Sequence, residues 1–221
     1  MNSTRRRYLR GLGGAGAGTI ACLAGCTSGA PGDGSDGDDG PPGSGDGGNC
    51  QDVGGTRPEG TGGPGVTLTA VDDDPDLPVE LQVDVEVVRE AATPEHPPRL
   101  RTTLTNAGDD PIRVGEGRAV HFEYVADDCD ALTLLPGDGE FPAEPDCWRL
   151  TERIAVTEEY QTFEIDAGES STRPVDCYAT PTDGDACLPV GEYRFETTVS
   201  VVSEDAEPQS SAQWGFSVLL E

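Results

Sequence analysis

Val79, Leu81, Val83, Val85 and Val87 alternate with Glu80, Gln82, Asp84 and Glu86. A strict period of two places every apolar side chain on one face of an extended strand and every acidic one on the other. No helix can use this pattern, because its neighbours on one face lie three and four residues apart. The same alternation returns along the chain. Leu100 and Leu104 lie in "RLRTTLTNAG", with "NAGDDP" as a turn after them. Val120, Phe122 and Tyr124 form the next apolar set, then Ile154 with Val156, and Phe163 with Ile165, which "DAGES" ends. Tyr193, Phe195, Val199 and Val201 mark a long strand, and Trp214, Phe216, Val218 and Leu220 the last one. No segment predicts a helix of more than one or two turns. Seven to nine half-buried strands predict an all-β protein, a β-sandwich over residues 65–221.

The first 64 residues follow another logic. Arg5, Arg6, Arg7 and Arg10 precede a mild apolar run from Gly11 to Gly25. Fifteen residues of helix reach only about 22 Å, short of a hydrocarbon core of about 30 Å, and the run is rich in glycine, a poor helix former. A charged start, a short apolar middle and a small-residue end describe an export signal. "TRRRYLR", with Arg5 and Arg6, resembles the twin-arginine signal, and "LAGC" resembles the lipobox that precedes a lipid-modified cysteine. The resemblance implies a signal peptide over residues 1–25, a lipidated Cys26 and a location on the extracytoplasmic face of the membrane. Thr27 to Pro64 is Gly, Ser, Asp and Pro with almost no large apolar side chain. Such a composition cannot offset its ordering entropy and predicts a disordered acidic tether, residues 26–64, with an end-to-end distance of about 35 Å. "DGSDGDDG" within it lacks the ligand register and late Glu of a calcium-binding EF-hand loop.

The charge is one-sided. All 42 acidic residues follow Gly25 and four of the 14 basic ones precede it, so the chain from Cys26 carries 10 − 42 = −32. Every basic residue is arginine. This profile resembles secreted proteins of extreme halophiles. At 1 M salt the Debye length is about 3 Å, so carboxylates several ångströms apart barely repel; at low salt they push a compact state apart. The same charge argues against a nucleic-acid partner, since no basic patch is available for phosphates.

"LTNAGDDPIRV", "AGES" and "LPVGEYRFETTVSV" resemble immunoglobulin-like sandwich domains of prokaryotic surface proteins, and more loosely a bacterial proteinase-inhibitor family of similar architecture. The resemblance implies a tyrosine corner at Gly191-x-Tyr193, with the phenol tying the strand start to nearby backbone. Phe195 stands where an antibody domain has its second cysteine, so the inter-sheet disulfide of antibodies is not expected.

Of the seven cysteines, Cys22 would leave with the signal and Cys26 would be lipidated. Cys50, Cys129, Cys147, Cys177 and Cys187 remain. None forms a C-x-x-C unit and neither histidine has zinc-motif spacing. Outside the cell disulfides are the default. Loops rich in Pro, Gly and Asp favour Cys129 with Cys147 and Cys177 with Cys187, one of three possible connectivities, and leave Cys50 as the unpaired candidate.

Candidate reactive groups are few. His121 alternates with Val120 and Phe122 and is expected to point outward, next to Glu123; His96 lies in the Pro-stiffened "TPEHPPR". Either is a possible general base, but no G-x-S-x-G elbow accompanies them. A blue-copper site needs a histidine after its cysteine and usually a methionine; no histidine follows Cys177 or Cys187, and Met1 is the only methionine. Acidic pairs such as Asp127-Asp128 arise by chance in so acidic a chain. Trp214 shares register with core residues, whereas Trp148, beside Cys147, is expected to cover a disulfide loop. The expected molecule is therefore a lipid-anchored interaction module without cofactor, metal or catalytic residues, binding an envelope protein, a glycan or a peptide. A secreted hydrolase with a site near His121 and a proteinase-inhibitor-like domain are the alternatives.

Overall fold

The computed structural model describes residues 64–181 and 187–221. Cys26, Cys50, Arg5, Arg6 and the expected signal and tether lie outside them, apart from Pro64 at the tether's end. Ten strands follow in order: β1 (Val66–Val71), β2 (Leu81–Arg89), β3 (Arg99–Asn106), β4 (Ile112–Gly115), β5 (Val125–Ala126), β6 (Leu132–Pro136), β7 (Thr162–Ile165), β8 (Ser170–Ala179), β9 (Gly191–Val202) and β10 (Pro208–Leu220). They form two antiparallel five-stranded sheets, ordered β1-β10-β9-β4-β7 and β2-β3-β8-β6-β5. The sequence predicts seven to nine strands; its named alternations locate β2, β3, β7, β9 and β10 but not β1, β4, β6, β8 or the two-residue β5, which is too short to carry a period.

The pleat explains the pairing. On β2, Leu81, Val83 and Val85 are buried while Gln82, Asp84 and Glu86 are exposed. Opposite them, Trp214, Phe216, Val218 and Leu220 of β10 are fully buried, and one continuous core joins both sheets. This is a β-sandwich, with an interior that excludes water by interdigitating the two inner faces. Phe122 packs edge-on against Trp214 and Phe216, with ring centroids 5.7 Å and 4.8 Å away. Burying such aromatic side chains contributes roughly 1.5–3 kcal/mol each.

Turns are set by side chains. Asn106 ends β3 and is buried; its amide donates to the carbonyls of Asp110 (2.8 Å) and Ile165 (3.1 Å) and its oxygen accepts from Gly108 N–H (3.1 Å). One asparagine thus shapes "NAGDDP" and ties it to β7. In "DAGES", Gly168 takes φ +73°, a left-handed conformation that suits glycine.

Two expected strands are absent. Ala119–His121 is a 3-10 turn, closed by Phe122 at φ 60° and followed by Tyr124 at φ 66°. The backbone reverses hand twice, so the alternation of Val120, Phe122 and Tyr124 does not describe a strand. Ile154 and Val156 lie in the long connection between β6 and β7, residues 137–161, where they have no strand to pair with. That connection folds over the outer face of β6 and β8. Leu135, Leu150 and Tyr178 form a second, small core there, with Phe141, Trp148 and Ile154 packed on it.

At one side the two sheets join. β4 pairs only with Val201 and Ser200 of β9, leaving the start of β9 open on that edge. The turn after β5 fills it: Asp127 bridges Phe195, and Asp128 N–H donates to the Arg194 carbonyl at 3.0 Å.

Candidate functional site

His121 does not point outward. It is fully buried, because the 3-10 turn folds it beneath β3 and β8 instead of running it along a strand. Its Nδ1 lies 3.0 Å from Thr102 Oγ1 and its Nε2 lies 2.9 Å from Ser171 Oγ. Thr102 Oγ1 also lies 3.2 Å from the His121 carbonyl, which can only accept. One hydrogen arrangement uses all three contacts: Thr102 donates to the carbonyl, Nδ1–H donates to Thr102, and Ser171 donates to Nε2. The imidazole is neutral. Burial first, and the charge of Arg173 second, lower its pKa to about 3. Arg173 lies over the Phe163 ring at 5.6 Å and pairs with Glu123 at 2.9 Å. Phe163 in turn stacks on His121, with centroids 5.6 Å apart.

A hydroxyl hydrogen-bonded to a neutral imidazole is the geometry of a nucleophile and its base. Here the third member is Thr102, which orients the ring but cannot stabilise an imidazolium as a carboxylate does. A ring that resists protonation down to about pH 3 is a weak proton acceptor at neutral pH. His96 sits in a tight turn with Thr93, each donating its backbone N–H to the other's carbonyl (Thr93 N–H at 2.9 Å, His96 N–H at 3.3 Å).

The second arrangement is a cleft on the outer face of β5 and β6, beneath the 137–161 connection. Its volume is about 170 Å³. Leu135, Leu150, Ile154 and Val156 supply apolar wall, and Tyr124 a ring. Thr133 and Thr180 bring hydroxyls, and Arg153 pairs with Asp130 at 2.7 Å across the rim. Val156 is 45% exposed. Tyr124 and Asp130 are both held in the left-handed region, at φ 66° and 55°, a conformation that costs on the order of 1 kcal/mol or more for a side chain of this kind and is often kept at binding sites. A run of aromatic contacts backs the cleft: Tyr124 on Phe141 (6.3 Å), Phe141 on Tyr178 (5.8 Å) and Tyr178 on Trp148 (6.1 Å). Trp148 is half-buried and donates its indole N–H to the Thr93 carbonyl at 2.7 Å. Trp214 belongs to the main core.

The cysteines differ from the expected pairing. Cys147 is bonded to Cys187, with Cα atoms 4.7 Å apart. Cys177 is a free, buried thiol. The reason is register: Cys177 points from β8 into the space between the sheets, whereas Leu150 N–H donates to the Ala179 carbonyl and lays the 147–150 segment beside the end of β8, near Cys187. Cys129 is disulfide-bonded as well, but not to Cys147 as expected.

The acidic clusters have local work. Asp72 accepts from Gly215 N–H (2.8 Å) and Arg194 (2.7 Å), and Asp127 accepts from the backbone of Cys129 and Ala131, both at 2.8 Å. Among the described residues no three His, Cys, Asp or Glu side chains group to hold a metal, and no helix is long and apolar enough to cross a membrane. Eight arginines, at 99, 101, 113, 118, 149, 153, 173 and 194, are each committed to a carboxylate. The cleft was hidden from sequence reading, since its walls come from β5, β6 and a connection that looked like a strand; the one signal was the apolar pair Ile154 and Val156 amid charged neighbours. No family model, characterised protein or solved structure matches the chain.

Proposed function

We propose that this chain is a lipid-anchored interaction module of a halophile's envelope, exported through the signal that includes Arg5 and Arg6 and held by a lipid on Cys26. Its domain is read as immunoglobulin-like, a reading supported by Tyr193, whose phenol donates to the Pro189 carbonyl at 3.1 Å as a tyrosine corner would. The partner is an envelope protein, a glycan or a peptide, and it engages the cleft beside Arg153 and Val156. The observation that carries this is the cleft itself: an apolar pocket with two hydroxyls and an ion pair at its rim, on a surface otherwise dominated by carboxylates. Small-ligand and peptide sites have this make-up, apolar walls with a few polar groups that fix orientation.

A photoreactive side chain placed at Val156, in cells kept at native salt, tests the reading. A discrete adduct is expected there and not from Val88, an exposed valine on β2. Equal labelling from both positions, or none from Val156, would count against the cleft.

The hydrolase reading is favoured by one contact, Ser171 Oγ to His121 Nε2. Replacing His121 would test folding as much as chemistry, so the discriminating change is Ser171→Ala. A hydrolase would lose turnover and covalent labelling by an organophosphonate at Ser171; an interaction module would keep its partner.

A further inference from the structure

β7 is the last strand of its sheet, paired with β4 on one side and, among the described residues, with no strand on the other. The chain that enters it keeps the same geometry. Residues 153–161 run without turn or bend, and residues 155–161 are exposed. The carbonyls of Thr157 and Glu159 accept from Arg118 at 3.0 Å and 2.6 Å, and that of Gln161 accepts from Gly117 N–H at 2.9 Å. Successive residues of an extended chain turn their main-chain polar groups to opposite edges. One edge is thus clamped through residues 157, 159 and 161, and the groups of Val156, Glu158 and Tyr160 face the other. Among the described residues, no main-chain group of residues 152–160 pairs with another main chain. This is an open strand edge, a template for pairing with a further strand.

The edge runs past the cleft, whose wall includes Ile154 and Val156. On the cleft reading above, on which this step rests, we infer that the partner is an extended, basic peptide segment of another protein. It adds as a strand along residues 154–160, seats one ring-sized apolar side chain in the cleft and sets an arginine or lysine against Glu158. In recognition of this kind main-chain hydrogen bonds give affinity, and a pocket for an alternate side chain gives specificity.

Size and chemistry select the side chain. The cleft, about 170 Å³, is close to the apolar cavity of about 150 Å³ that takes up one benzene. A sugar fits it poorly: Leu135, Leu150, Ile154 and Val156 offer its hydroxyls no partner, and burying a hydroxyl unpaired costs about 1–3 kcal/mol. Charge selects the neighbour. Side chains opposed across a strand pair share a face, and every second residue returns to that face. A peptide side chain opposite Val156 therefore has, two positions away, one opposite Glu158. Glu158 and Glu159 are exposed and belong to no ion pair among the described residues, whereas Arg153 is taken by Asp130. At 1 M salt charges are screened beyond about 3 Å, so only a charge in contact contributes, and the strand register supplies that contact. A second copy of this chain would bring the same carboxylates to the edge and repel it.

The test offers the full chain, at a salt concentration that keeps the domain folded, a positional-scanning library of short end-capped peptides. Selection should enrich Phe, Tyr, Trp or Leu at one position and Arg or Lys two positions away. In the best binder, alanine in place of the apolar residue should weaken binding by about tenfold or more, the effect of losing one such buried side chain. N-methylation of alternate peptide amides should abolish binding in one register and spare it in the other. Glu158→Arg should turn the selected basic residue into an acidic one, while Asp84→Arg on β2 should leave the selection unchanged. Absence of enrichment, or binding indifferent to N-methylation in both registers, overturns the inference. If the Val156 photo-adduct forms but proves to be a glycan or a second copy of this chain, the inference fails and the cleft reading stands. If neither adduct nor peptide selection is found, the cleft reading fails with it.

Discussion

Ser171 Oγ lies 2.9 Å from Nε2 of His121, and the imidazole it contacts has no solvent-exposed surface. The pair joins β8 to the 3-10 turn with the imidazole buried and Ser171 partly exposed, so protonation of the ring is coupled to folding. In the folded state the His121 pKa is lowered to about 3 from an ordinary 6.5, by burial and by Arg173. The unfolded chain therefore binds a proton between those values that the folded chain refuses. Stability from this group is complete above pH 6.5 and falls as the pH drops, by about 1.4 kcal/mol per unit. Between pH 6.5 and 5 the loss is expected to be about 2 kcal/mol. Denaturant titrations at constant high salt would measure it, against a His121→Gln variant as baseline. Parallel pH profiles for the two proteins would show that His121 is not buried neutral.

The thiol chemistry gives a second expectation. Cys177 is sealed in the core, and burial together with the nearby carboxylates of Asp127 and Asp176 pushes its thiol pKa well up. It should resist alkylation in native protein and react fully in denaturant without reductant. Removing the Cys147–Cys187 bond, which spans 40 residues, should destabilise by about 4 kcal/mol or less in the chain-entropy picture. Mass spectrometry after alkylation reads the first, and denaturant melts of a Cys147→Ala/Cys187→Ala variant read the second. Rapid native alkylation of Cys177 would contradict its placement.

What the sequence discloses follows from how far each contact reaches. β2, β9 and β10 are long, bury one face and expose another, so their period of two is written in adjacent residues. β8 hides because its C-terminal half is covered on both sides: Val175 and Cys177 face the main core, while Asp176 and Tyr178 lie under the 137–161 connection. Asp176 is buried in an ion pair with Arg99 (2.6 Å), so a buried position reads as polar. His121 misleads for a related reason. Three alternating residues fit a strand and a tight turn equally well, and the left-handed backbone at Phe122 is invisible in its identity. The disulfide register depends on which segment lies beside the end of β8, a long-range fact, and the composition of the intervening loops says nothing of it.

Gly215 supplies a backbone test. It lies between Trp214 and Phe216 on β10, where a Cβ would come within 2.4 Å of the Phe195 carbonyl oxygen. The clash is with backbone of the neighbouring strand, so no rotamer change relieves it. Gly215→Ala should destabilise by roughly 1–3 kcal/mol, the range for overpacking. The same change at Gly168, where nothing lies within 4 Å but φ is +73°, should act through backbone strain alone and by about 1 kcal/mol. Thermal melts of both variants would check the order; a larger loss at Gly168 would contradict the packing account.

Salt should govern the whole domain. On β2 the outward residues include Asp84 and Glu86, and only Glu86 is paired, with Arg101 at 2.8 Å. Eight of the ten arginines from Cys26 onward are already committed to carboxylates, so most of the 42 acidic groups have no arginine to offset them, and this part of the chain carries a formal −32. At 1 M salt, screening acts within about 3 Å and repulsion between such groups is slight; at 0.01 M it extends to about 30 Å, the scale of a whole domain. Circular dichroism should therefore show the strand signal lost on dialysis to low salt and regained on return. Replacing Asp84 and Glu80 by Asn and Gln should move the midpoint to lower salt without altering the high-salt spectrum. A domain that stays folded at low salt with its acidic face intact would mean that its core outweighs self-repulsion, and that the acidic surface serves hydration or binding instead of salt-dependent folding.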